Sequence, residues 1–171
     1  DLAAAATIGI AEASKITANV MAGFGISASE SGKAADILAA IATNASTDIS
    51  GMGDAIKYVG PVAKSVGWTL GETAVLIGAL ANACIEGSMA GTGLKATISS
   101  LVSPSASARR AIAEMGLTVD QVNPKLVKGD EVVRRLASAG LDAEKAFQIF
   151  GERGAVAILA LTDKIPNIEK L

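Results

Sequence analysis

Residues 69–85 read TLGETAVLIGALANACI, and this stretch decides the fold. Leu70, Ala74, Val75, Leu76, Ile77, Leu80, Ala81, Ala83, Cys84 and Ile85 would cover nearly the whole circumference of a helix. A helix that is apolar all round is one buried on all sides. Gly71 and Gly78 lie inside it, and each weakens a helix by about 1 kcal/mol relative to Ala. Such glycines are tolerable where a neighbouring backbone packs closely. The next helical stretch, starting near Ser88, carries Ala90, Gly91 and Gly93 in its first turns. These small residues are natural partners for the glycines, so residues 69–101 are expected to form a buried Gly/Ala-rich helical hairpin at the centre of the fold. The apolar-plus-small run Thr73 to Ile85 is closed by Glu72 and Glu86, and a helix crossing a bilayer needs about twenty residues.

The start of this stretch shows a pattern that recurs. Gly67-Trp68-Thr69 places a glycine, a large apolar residue and a helix-capping residue in succession. Gly25-Ile26-Ser27 and Gly140-Leu141-Asp142 do the same, and Gly116-Leu117-Thr118 does so most weakly, because Val119, Val122 and Pro124 follow and do not continue as a helix. Glycine readily takes the left-handed conformation that ends a helix, and the apolar residue after it folds back onto the last turn. Ser, Thr or Asp then accepts from the open amides of the following helix. Ser27-x-x-Glu30 and Thr69-x-x-Glu72 have the spacing of full capping boxes.

Between these junctions the apolar spacing is helical. Ala34, Ile37, Leu38, Ile41 and Ala45 share one face, and Met52, Ile56, Val59, Ala63 and Val66 share another. Pro61 is expected to interrupt the second helix, leaving the Lys57 carbonyl unpaired and kinking it near Gly60. Ala108, Ala111, Ile112 and Met115 mark a further helix, with Ser103 as cap and Pro104 at its first position. Ala143, Ala146, Phe147 and Phe150 mark a short helix, and 155–161 an apolar one. Residues 116–129, with Asn123-Pro124 and Lys128-Gly129, read as a loop with a little extended structure. No long alternating run points to strands. The fold class is all-α, a compact bundle of about seven to nine short helices.

Composition narrows the chemistry. The 171 residues are 50% hydrophobic but only 3% aromatic, with 18 glycines, and mean hydropathy is +0.44. The core is therefore built from Ala, Leu, Ile and Val. Histidine is absent, which removes the commonest general base and most zinc arrangements. Glu12, Glu30, Glu72 and Glu86 are spread across helix starts and turns, where capping and the helix dipole account for them. Gly87-Ser88-Met89-Ala90-Gly91-Thr92-Gly93 lacks the Gly-Lys-Ser/Thr ending of a phosphate loop and follows a helix, so close packing explains it better. Cys84, the single cysteine, lies in an apolar run and reads as a buried small hydrophobe. No catalytic, cofactor-binding or metal-binding residue is assigned. Net charge is −2, and the basic clusters Arg109–Arg110 and Arg134–Arg135 point neighbouring side chains about 100° apart on a helix, so neither tracks phosphates and no specific nucleic-acid binding is expected. The chain opens at Asp1 with no Met or basic leader, which reads as part of a longer chain without a signal peptide.

One resemblance is specific. Ala42-Thr43-Asn44-Ala45-Ser46-Thr47-Asp48-Ile49, then Ala55-Ile56-Lys57-Tyr58-Val59-Gly60-Pro61-Val62-Ala63, resembles the core region of phage tail tape measure proteins. So does Leu80-Ala81-Asn82-Ala83-Cys84-Ile85-Glu86-Gly87-Ser88-Met89-Ala90-Gly91-Thr92. Phe150-Gly151-Glu152-Arg153-Gly154-Ala155 through Leu159-Ala160-Leu161 is similar to the family's closing segment. The blocks follow in the family's order over nearly the whole chain. Glu86 stands where a basic residue is frequent and Trp68 where a smaller aliphatic is common, and the loop from Thr118 to Lys128 is atypical.

The resemblance implies a structural virion component that fills the tail tube, sets tail length during assembly and leaves when the genome is delivered. It implies a small number of parallel copies, commonly three, together with tail tube protein, tail tip or baseplate hub proteins and tail assembly chaperones. The implied location is the tube or tip of the virion, and the host cytoplasm during assembly. Even as a single continuous helix, 171 residues would span roughly 260 Å, so the measuring part is expected outside this segment. Residues 27–163 are expected to be a folded anchor near the tail tip, 1–24 to continue an upstream helix, and 164–171 to begin a downstream linker or helix. A rival reading is a membrane-active helical module that helps DNA through the host envelope, with transient membrane contact by residues 69–101.

Overall fold

The computed structural model describes residues 9–164 of the chain. Eight α-helices succeed one another there, with two short 3-10 turns and no strand among the described residues. They are α1 (Ile10–Phe24), α2 (Ser31–Asn44), α3 (Ile49–Ser65), α4 (Leu70–Ala81), α5 (Gly87–Val102), α6 (Ala106–Glu114), α7 (Gly129–Ser138) and α8 (Ala143–Asp163). The 3-10 turns are Ala28–Glu30 and Asp120–Val122. The all-α class and the number of helices agree with the sequence. What was read into residues 1–8 and 165–171 lies outside the described residues.

All four Gly-apolar-cap junctions close in the same way, the weakest-marked one at Gly116 included. Gly25, Gly67, Gly116 and Gly140 have φ of 66°, 86°, 75° and 74°. In each, the apolar residue that follows donates its amide to the carbonyl five residues back, at 2.9–3.1 Å, and the glycine donates three residues back. This double hydrogen bond satisfies carbonyls that a helix end would otherwise leave open. A fifth junction of the same geometry was not foreseen. After α4, Cys84 takes the glycine position with φ 60°, donating to the Ala81 carbonyl, while the Ile85 amide donates to the Leu80 carbonyl. The helix therefore ends at Ala81, and Cys84 is exposed rather than buried.

The caps divide. Thr69 and Glu72 form the full reciprocal box, with the Glu72 amide donating to Thr69 Oγ1 at 3.1 Å and the Thr69 amide to Glu72 Oε2 at 2.9 Å. Asp48 and Asp142 accept from the amides of Gly51 and Lys145. Ser27 does not complete its box. Its hydroxyl donates to the Glu30 carboxylate instead, a 3-10 turn intervenes, and α2 begins only at Ser31. The cap of α6 is Ser105, which accepts from the Ala108 amide, two residues later than expected; Pro104 precedes the helix and is buried. Pro61 does not break α3, which runs as one helix to Ser65. Pro61 and Lys57 both face solvent, where water can take the carbonyl that the ring leaves unpaired. The residues after Gly116 hold no strand: Thr118 and Gln121 exchange hydrogen bonds around the second 3-10 turn.

The core is continuous, and α5 lies at its centre, pressed against α3 on one side and α8 on the other. Its neighbour α4 is buried over most of its length, including Leu76, Ile77, Gly78 and Leu80, as its all-round apolar sequence predicts. However, α4 packs chiefly on α2 and α3, and touches α5 only slightly. The expected 69–101 hairpin is therefore two consecutive helices with different partners. The glycines show why. A Cβ on Gly91 would run into the Ala55 carbonyl of α3, and one on Gly93 would come within 2.8 Å of Ala157 Cβ on α8. Gly71 has nothing closer than Thr69 Oγ1 at 4.0 Å.

The last helix bends at Gly151, whose φ of 65° and ψ of −176° are not helical. This separates 143–150 from 152–163, the two helices expected there. Within the first, Ala146, Ile149 and Phe150 are buried but Phe147 is 49% exposed. Ile149 lies on the buried face, and Phe147 stands off it.

Candidate functional surface

The sequence's candidate acids do not converge. Glu12 and Glu72 lie in the first turns of α1 and α4, Glu30 lies in the first 3-10 turn, and Glu86 immediately precedes α5. No group of three or more Cys, Asp or Glu among the described residues could hold a metal ion. The Gly87–Gly93 segment forms the first turns of α5, and its Gly91 and Gly93 face the backbones of α3 and α8. It is a packing surface, as read. No helix among the described residues is long and apolar enough to cross a membrane.

Two carboxylates have well-defined surroundings. Burial pushes the Glu72 carboxyl up, but the Thr69 amide and hydroxyl together with Lys128, at 3.3 Å, outweigh it and hold the group below the ordinary carboxylate range. The Lys145 amide and ammonium hold Asp142 low in the same way. Both acids serve helix starts. Every buried side-chain nitrogen or oxygen among the described residues has a hydrogen-bond partner. Thr97, on α5, is one: its hydroxyl donates to the Gly93 carbonyl at 3.0 Å and lies 3.4 Å from that of Gly154 on α8.

Two of the three departures from the family pattern, Trp68 and the loop from Thr118 to Lys128, meet in space. Trp68 is buried, and its indole N–H donates to the Pro124 carbonyl at 3.0 Å, with that of Val127 at 3.3 Å. Lys128, at the end of the same loop, pairs with Glu72. An indole both fills space and offers one donor, which a smaller aliphatic could not do. The atypical loop is thus fastened to the atypical side chain.

What remains is surface shape. A groove of about 840 Å³ runs between α1 and α3, with Glu12, Lys15, Asp54 and Lys57 among its lining. A second, of about 460 Å³, lies between the start of α5 and the second half of α8, with Met89 and Val156 on it. Periodicity could not reveal the second groove, because Val156 sits in a segment apolar on every face and Met89 among small residues.

The chain matches the family model described as phage-related minor tail protein over residues 1–152. It is 35% identical over 173 residues to a tape measure protein of Pneumococcus phage Dp-1, covering 98% of this chain and 15% of that relative. It is also 35% identical over 147 residues to a probable tape measure protein of Escherichia phage P2, covering 80% of this chain and 18% of the relative. The chain thus spans less than a fifth of the length of these curated relatives. No solved structure matches it. A helical bundle packed through small residues, matched to that family model along most of its length and to tape measure proteins over four fifths of it or more, belongs to the phage-related minor tail protein family.

Proposed function

We propose that this chain is the folded core of a tape measure protein, a non-catalytic virion component that anchors the protein near the tail tip. The whole protein would set tail length during assembly and leave the tube at genome delivery. The observation that carries the anchor reading is the packing of α5. Its glycines bring three helices into backbone contact, which makes a compact body rather than an extended one. The longest helix, 21 residues with a bend, spans only about 30 Å, so this segment is ill suited to measure a tail. Its partners in this role would be other copies of itself, the tail tube, tip or hub proteins, and the assembly chaperones.

Deletion of residues 27–163 from the full-length protein separates anchor from ruler, read by electron microscopy of the particles. An anchor predicts failure to form tails of normal architecture. A ruler predicts normal tails shortened by roughly 200 Å, the helical length of the residues removed. Tails of normal architecture, whatever their length, would count against the anchor.

A further inference from the structure

Residues 104–150 lie between two bends in the backbone. At the near end, α5 stops at Ser103, whose φ of −137° and ψ of 71° are not helical, and Pro104 follows. At the far end, Gly151 bends α8 with φ 65° and ψ −176°, a conformation open almost only to glycine. A Cβ on Gly151 would meet nothing within 4 Å, so the glycine is needed for its backbone angles and not for space. Beyond it, the second half of α8 stays on α5, through the Gly93–Ala157 contact and the Thr97 hydroxyl facing the Gly154 carbonyl.

What lies between the bends holds itself together. Both α6 and α7 pack on α8. The Gln148 amide donates to the Ser107 carbonyl at 3.4 Å, tying the first half of α8 to α6. The Arg135 guanidinium donates to the Gln121 carbonyl at 2.9 Å, tying α7 to the loop before it. Ile112, Val122, Val133, Leu136 and Phe150 supply this part with buried apolar side chains. A third attachment to the rest of the bundle lies at the start of α4. There the Trp68 indole holds the Pro124 and Val127 carbonyls, and Lys128 reaches Glu72. Gly129 sits so close that a Cβ would come within 2.7 Å of Leu76 and 2.8 Å of Trp68. Contacts gathered within 68–76 on one side and 124–129 on the other can be given up in one event.

We propose that residues 104–150 lift from α4 as one body, turning at Ser103–Pro104 and at Gly151, with Trp68 as the latch that holds it closed. Opening uncovers Trp68 and Leu76, so an apolar face of α4 is offered only while the latch is released. Cooperative openings of this kind lie below global unfolding in free energy. Neither hinge nor latch depends on the tape measure reading.

Native-state hydrogen exchange of the 171-residue chain, followed by NMR, tests it, because the indole proton of Trp68, the single tryptophan, reports on the latch directly. In wild type, that proton and the amides of Ile112, Val133 and Ile149 should exchange through one opening of equal free energy. The amides of Val59 and Ile98, in α3 and α5, should be better protected. Trp68→Phe keeps a ring but removes the donor, and should speed exchange of the three body amides about tenfold while leaving Val59 and Ile98 unchanged. Gly151→Ala strains the closed bend, and should speed the indole proton about tenfold from the far end of the body. Unequal opening free energies in wild type, an equal acceleration of Val59 and Ile98 in either variant, or an indole proton unmoved by Gly151→Ala would overturn the proposal. The wild-type comparison decides the matter even where a variant fails to fold.

Discussion

Helices α4 and α5 are neighbours in sequence and both buried, yet they are buried by opposite means. In α4, the side chains do it: Leu76, Ile77 and Leu80 extend into surrounding helices and are fully covered. In α5, beside the buried Leu94, Ile98 and Leu101, the absence of side chains contributes: Gly91 and Gly93 let α3 and α8 approach until backbones touch. Large side chains tolerate small errors of position because their rotamers adjust. Backbone against backbone cannot adjust, so tolerance to a single methyl group should differ sharply between the two helices. Their ends differ as well, since α4 opens on a complete capping box and α5 opens on Glu86, which makes no side-chain cap.

The largest effect should come from a methyl group on α5. Gly91→Ala places a Cβ on the Ala55 backbone, which no rotamer can relieve, and should destabilise by about 3 kcal/mol in urea unfolding, the upper range for overpacking. An unchanged midpoint would mean that α3 and α5 are not in backbone contact. The junction between the two helices should respond in the other direction. Cys84→Gly relieves a left-handed residue with a side chain and should stabilise by about 1 kcal/mol. As a companion check, a thiol reagent should label Cys84 fully in the native protein; slow labelling governed by unfolding would return the cysteine to the core.

Smaller still is the methyl group on α4. Gly71→Ala meets only open space, and should stabilise by about 0.5 kcal/mol, opposite in sign to the same change in α5. Acid should distinguish the helix starts last. Glu72 has a folded pKa below its unfolded one, so its contribution is complete above the unfolded value and lost as pH falls through the folded value. Between about pH 5 and pH 3, amide protection in the first turn of α4 should fall, while that of α5 should not follow it. Equal loss in both turns would show that Glu72 has no local role.

Much of this architecture was legible in the chain. The four glycine junctions could be read because each is a matter of six consecutive residues, and their hydrogen bonds are local. The junction at Cys84 obeys the same geometry but carries a residue that rarely adopts it, so only the surrounding packing could reveal it. Trp68 and the loop from Thr118 to Lys128 were each recognisably unusual. That one holds the other depends on a hydrogen bond across 56 residues. The groove beside Met89 was not legible. Its walls come from helices more than fifty residues apart, and an apolar segment does not say which of its faces is left uncovered.

By itself, then, the sequence determined the helical class, the glycine junctions at which four helices stop, and that small residues would bring helices close. These follow from local hydrogen bonding and from the volume of side chains. Only the tertiary structure decided which helices those small residues bring together. Gly91 meets Ala55 and Gly93 meets Ala157, while the 69–101 stretch that looked like a self-contained hairpin divides between two neighbourhoods. A glycine exposes backbone equally to any partner, so its sequence signals close approach without naming what approaches.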